Sequence, residues 1–182
     1  MGVAIFEQAY STKNTPEAIK LYQKAIDTYP YDATFWFGLG NLYTDKHKKI
    51  ECFLKAAELN PDDCGGYQNA GYEYQHMGQY EKAIEYWQKA IAIKSNDSGF
   101  YAGLGKCYQK LKKYDEAVNI YKSGYRATND IDLLLNVGVL YLNCGNYQMA
   151  KECFESCQKL QPNNKNVKKA FNLLKSFREK NN

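Results

Sequence analysis

Gly38, Asn69, Gly103 and Asn136 follow one another at intervals of 31, 34 and 33 residues. A carboxamide offers a donor and an acceptor together, so Asn69 and Asn136 suit hydrogen bonding to an extended peptide backbone. A glycine between them lets such a backbone approach a helix surface closely. On the same helix face, within about 100° of arc, stand Phe37, Asn41, Gln68, Tyr72, His76, Lys106, Lys110 and Val139. That mixture of amide, aromatic, aliphatic and basic groups suits recognition rather than bond making. Bond-making chemistry has little else to draw on. The two histidines, His47 and His76, stand far apart in the sequence, and no triad, phosphate loop or metal-ligand spacing is present. Cys144, Cys153 and Cys157 lack a clear fourth ligand, and the six cysteines contain no C-x-x-C pair. They read as reduced packing residues of a cytoplasmic or similarly reducing compartment. The reading is a non-enzyme without cofactor or metal.

The elements that must carry these residues repeat along the chain. Gly40, Gly71, Gly105 and Gly138 recur at the same intervals, each followed three residues later by a tyrosine: Tyr43, Tyr74, Tyr108, Tyr141. Four residues before each glycine come Trp36, Tyr67, Tyr101 and Leu134. A second pattern, alanine then an aromatic four residues on, follows as Ala18/Tyr22, Ala83/Trp87, Ala117/Tyr121 and Ala150/Phe154, with Lys49/Phe53 in the second copy. Asp32, Asp63, Asp97, Asp130 and Asn164 precede the next copy in register, and Asp and Asn are strong helix N-caps. Pro30, Pro61 and Pro162 close segments, while Pro16 sits where a helix opens. At about 100° per residue, the first glycine and its aromatic partners form one packed stripe. The glycine there lets a neighbouring helix come close. The face holding Gly38 and Asn69 lies nearly opposite and should stay open.

Trp36-x-x-Leu39-Gly40-x-x-Tyr43 and its copies resemble the tetratricopeptide repeat family over nearly the whole chain. The resemblance implies an all-α fold, a right-handed α-solenoid of about five helix-turn-helix repeats: 1–32, 33–63, 64–97, 98–130 and 131–164. Residues 165–182 follow as a polar C-terminal capping helix and basic tail. The first helix of each pair would line a concave groove, and the groove would bind a peptide segment of a partner protein. The chain is then an adaptor or scaffold subunit of a larger complex. The second repeat is three residues short around DKHKK, where shorter helices are expected. The first repeat carries Phe6 at a small-residue position. Ser95 and Asn129 replace a closing proline.

Some family members clamp the C-terminal carboxylate of heat-shock chaperones. Here Asn41 and Asn69 match the two asparagines of that clamp, but Phe37, Gly99 and Gly103 replace its cations. Without those charges a carboxylate gains little. An asparagine ladder like that of other members is present at two of four slots. The preferred partner segment therefore carries amides and apolar anchors, with an acidic residue near Lys106 and Lys110. Competing readings are a chaperone-tail cochaperone with an incomplete clamp, a regulatory fragment of a larger enzyme, and an RNA-binding repeat protein. Self-association is a further use of the same surface.

The formal charge is +4, and the final segment from Lys165 carries six basic residues against Glu179 alone. Anionic partners are conceivable there, but a solvated outer helix face explains the segment more simply. Most of the seventeen tyrosines fall in packing slots, which weakens the nucleic-acid reading. No apolar run reaches the ~18 residues of a membrane span, and no secretory leader precedes the first element. The start MGVAIF has the glycine of a myristoylation site but Phe6 where Ser or Thr belongs.

Overall fold

Side-chain caps set the helix starts. The computed structural model describes residues 7–9, 11–12 and 15–181, all in helices and short turns. The start MGVAIF, Phe6 and part of the first helix of repeat 1 lie outside these. The helices are α1 (Thr15–Thr28), α2 (Ala33–Leu42), α3 (Lys46–Leu59), α4 (Gly65–His76) and α5 (Tyr80–Ile93). They continue with α6 (Ser98–Lys110), α7 (Tyr114–Thr128), α8 (Ile131–Asn143), α9 (Tyr147–Leu160) and α10 (Lys165–Asn181). Asp32, Asp63, Asp97, Asp130 and Asn164 each accept from the backbone N–H two residues on, at 2.7 to 3.0 Å. Each satisfies an otherwise orphaned donor, worth about 1 kcal/mol.

The chain divides into two compact units, Met1–Lys94 and Ser95–Asn182. In the first, α1 packs on α2, and α2 through α5 pack each on the next. In the second, α6 through α10 do the same, with α8 also lying beside both α6 and α10.

Within the pairs, an aromatic ring from the second helix lies on the glycine of the first. A Cβ built on Gly40 would stand 2.8 Å from the Phe53 ring, and one on Gly71 would stand 3.2 Å from Trp87. At Gly105 and Gly138 the rings of Tyr121 and Phe154 come closer still. These glycines accept a helix-propensity penalty of about 1 kcal/mol and return helix separations that bury whole rings. Beside the rings, Ala18, Ala83, Ala117 and Ala150 are buried. The second pair substitutes Lys49, whose Nζ reaches the Glu73 carboxylate at 3.1 Å across α3 and α4.

The turns between helices show a device the sequence reading overlooked. Gly78, Lys112 and Gly145 have φ of 73°, 60° and 76°. The next residue's N–H then bonds back to Tyr74, Tyr108 and Tyr141 respectively, each at 2.9 Å. This is a left-handed C-terminal helix stop. The α2–α3 pair lacks it: Tyr43 turns directly to extended backbone, and Asp45 caps α3 by accepting from Lys48 N–H at 2.9 Å. The missing residues therefore shorten α2 to 10 residues and remove the turn, whereas α3 keeps the 14 residues of α5. The expectation that both helices shorten is corrected on this point.

The last helix is also more than a polar cover. Val167, Ala170 and Leu174 of α10 are buried, and Phe171 meets Phe154 edge-on at 6.0 Å. The stripe that elsewhere holds the aromatic, glycine and tyrosine reads Lys168, Asn172, Lys175, all exposed. One face of α10 is built for packing and its neighbouring face for water. No helix of the described residues is long and apolar enough to cross a membrane.

Burial leaves a titration signature. The Tyr121 hydroxyl is pushed up to about 12 by desolvation, with the nearby Cys107 adding to the rise, and burial pushes the Cys52 and Cys157 thiols to about 11. Their neutral forms are favoured in the fold, so the unfolded chain loses these protons first as pH rises. Their stabilising contribution is full below pH ~9 and is lost between ~9 and 12. For Tyr121 alone the loss is at most about 3 kcal/mol. Urea unfolding at pH 8 and pH 11 should show the lower midpoint at pH 11; equal midpoints would contradict the burial assignment.

Candidate functional site

The face opposite the glycine–aromatic stripe is part open and part packed. In the first unit, Phe37 turns inward, its ring 5.4 Å from that of Phe53. A Cβ on Gly38 would stand 2.5 Å from the Tyr22 ring. Gly38 is thus a packing glycine, filled from α1, and not a groove floor. Gly103, in the second unit, is buried and also departs from the open position expected of it.

Asn41 and Gln68 are exposed as expected. Asn69 is half-buried and its Nδ2 donates to the Gly65 carbonyl of its own helix at 2.8 Å. One of its two N–H donors is therefore committed, which leaves the other N–H and the carbonyl oxygen for a ligand. Tyr72 is 52% exposed, and its ring lies 4.3 Å from that of His76. His76 ends α4, and its backbone carbonyl accepts from Lys46 Nζ at 3.4 Å.

In the second unit Lys106 and Lys110 are exposed on α6. Asn136 and Val139 are half-buried on α8, with Leu135 beside them. These three share a cleft of about 510 Å³ with α10 residues Asn166, Lys169, Ala170 and Leu173. Asn166 Nδ2 donates to both oxygens of Asp132, at 3.0 and 2.9 Å, tying α10 to α8 at one end. Asn136 makes no further hydrogen bond among the described residues. Apolar walls with a free amide and a lysine at the rim can hold an apolar side chain and pair with backbone or carboxylate groups.

The α10 wall was missed from sequence. Its signal lies in register: Asp132, Leu135, Asn136 and Val139 correspond, 34 residues on, to Asn166, Lys169, Ala170 and Leu173. Treating the last helix as a cap stopped the alignment one helix early. Among the described residues no group of three or more His, Cys, Asp or Glu is placed to hold a metal ion.

Sequence profiles described as tetratricopeptide repeat match residues 66–97, 98–130 and 131–164. No curated protein matches at a significant level. Among solved structures, a crystal structure of MamA is 23% identical, covers 80% of this chain and 87% of that one, and superposes with a TM-score of 0.70. MamA residues 41 to the end from Desulfovibrio magneticus RS-1 are 15% identical, with 90% and 95% covered and a TM-score of 0.73. YrrB, a tetratricopeptide repeat protein with an unusual peptide-binding site, is 23% identical, with 87% and 84% covered and a TM-score of 0.68. At these identities the likeness is one of fold.

Proposed function

Since the chain belongs to the tetratricopeptide repeat family, a family of protein-interaction scaffolds, we propose that it is a non-catalytic adaptor that binds a segment of a partner protein. The observation that carries this reading is the cleft between α8 and α10, where Asn136 stands unbonded between Leu135 and Val139. The partner segment inserts an apolar side chain there and pairs its backbone with the Asn136 amide. Lys106 and Lys110 favour an acidic residue in the same segment. In the first unit, Asn41, Gln68, Asn69, Tyr72 and His76 offer a second contact surface. Five repeats spanning 1–164, followed by α10, are the working division of the chain. Six free cysteines suit a reducing compartment.

The test starts with affinity capture from the native source and measures binding of the captured partner's segment by titration calorimetry. Asn136→Ala should weaken binding about 5- to 20-fold, the worth of one hydrogen bond lost in a closed site. Asn69→Ala, made separately, tests the surface of the first unit on its own, and there the loss should be smaller because one Asn69 donor is already taken. Far-UV circular dichroism should not change. Unaltered affinity in the Asn136→Ala variant would remove the proposal. Binding of oligonucleotides with a steep salt slope would instead favour nucleic acid.

A further inference from the structure

The α4–α5 pair contains a three-ring stack. Tyr86 of α5 lies parallel to Tyr74 at 5.4 Å and nearly parallel to Tyr67 at 6.3 Å, both on α4. Lys82 lies over the Tyr74 ring at 5.3 Å. The α2–α3 pair repeats the surrounding parts. Trp36 and Tyr43 correspond to Tyr67 and Tyr74, and Lys48, which lies over Tyr43 at 5.6 Å, corresponds to Lys82. The residue corresponding to Tyr86 is Cys52. Where one pair has a ring between two aromatics, the other has a thiol and a cleft of about 310 Å³ lined by Trp36, Tyr43, Leu39 and Cys52.

The charge at the rim differs too. In the stacked pair, Glu85, which corresponds to Glu51, is neutralised by Lys89 at 2.7 Å. In the open pair, the residue corresponding to Lys89 is Lys55, and it turns to Glu58 at 2.8 Å instead. Glu51 and Asp27, both exposed, line the cleft and make no ion pair among the described residues. The cleft thus lacks a flat group in its middle; its edge carries the Lys48 ammonium over Tyr43 and two carboxylates that make no ion pair among the described residues.

We propose that the slot between Trp36 and Tyr43 is a second binding site, which receives an arginine side chain from a partner protein. A guanidinium is planar, stacks on aromatic faces and donates to carboxylates in a fixed fork. It takes the place Tyr86 holds in the neighbouring pair, with its stem against Leu39 and its N–H groups directed to Glu51 and Asp27. A lysine has the charge but not the plane; a tyrosine has the plane but not the charge. This site is separate from the cleft between α8 and α10 and stands or falls independently of it.

The probe is N-acetyl-arginine methylamide, with the lysine and norleucine analogues as comparators, titrated while recording the Trp36 indole N–H signal by NMR. The arginine probe should shift that signal with at least five-fold tighter apparent affinity than either comparator. Asp27→Asn combined with Glu51→Gln should weaken the arginine response at least five-fold and leave the norleucine response in place. Cys52→Tyr, which builds the missing ring, should abolish the response. If Cys52→Tyr does not fold, the charge variant alone decides. Equal responses to arginine and norleucine, an arginine response that survives the charge variant, or no response at Trp36 would each overturn the proposal.

Discussion

Gly66→Ala should lower the stability of the protein by about 3 kcal/mol, although alanine is the better helix former by about 1 kcal/mol. The new Cβ would press on the Phe53 backbone carbonyl, and would stand 2.8 Å from the Ala57 Cβ and 3.1 Å from its nitrogen. Those atoms belong to the frame of α3 and cannot rotate aside as a side chain can. Relief requires moving α4 away from α3, which also loosens Phe53, 2% exposed in the core. Gly105→Ala meets the buried Tyr121 ring and should also destabilise, by about 2 kcal/mol, because a ring confined on all sides still has small freedom to shift. Gly99→Ala is the comparison. Gly99 is an exposed helical residue whose added Cβ would meet only the Asp97 carboxylate, at 3.1 Å. Its substitution should be neutral or stabilising by up to about 1 kcal/mol. Urea unfolding of the three variants gives the ranking. A Gly66→Ala variant as stable as Gly99→Ala would mean that α3 and α4 are not held at this separation.

The glycine spacing was readable in the sequence because close helix approach leaves a periodic trace. A ring cannot be buried against a helix surface unless one residue lacks a side chain, so Gly105 and Tyr121 must appear together. The caps were readable for a similar reason, since Asp97 and Asp130 act on backbone groups two residues away. What lay on the opposite face was less readable. Gly38 and Asn69 occupy equivalent positions in the series, yet Gly38 answers to Tyr22 and Asn69 to its own helix at Gly65. Neither partner is implied by the 31-residue interval that joins them. The wall contributed by α10 was hidden by its composition: Lys168, Asn172 and Lys175 break the packing stripe and mask the register that places Asn166 beside Asp132. In the sequence Cys52 reads as a packing residue. Its meaning comes from the ring that occupies the same place in the next pair, which a stripe-by-stripe reading of one helix does not compare.

Phe154→Ala should remove about 3–5 kcal/mol, the range for emptying a fully buried aromatic site; Phe154 has no exposed surface. More telling is what happens at Gly138 once the ring is gone. In the native protein, a Cβ on Gly138 would press on the Phe154 ring, so Gly138→Ala should cost about 2 kcal/mol. In the Phe154→Ala background that obstacle is absent, and the nearest remaining contact, the Cys153 Cβ at 3.1 Å, must yield by a few tenths of an ångström. The helix preference for alanine over glycine then dominates, and the same substitution should stabilise by about 0.5–1 kcal/mol. The sign therefore reverses, and the coupling energy comes to about 3 kcal/mol, at the upper end for residues in contact. Phe154→Leu offers a milder background should the alanine variant be too unstable to measure, and there Gly138→Ala should cost less than in the native protein. Strictly additive effects across this cycle would show that Gly138 is present for some reason other than the ring it carries, and the glycine–aromatic pairing would lose its status as the organising contact of each helix pair.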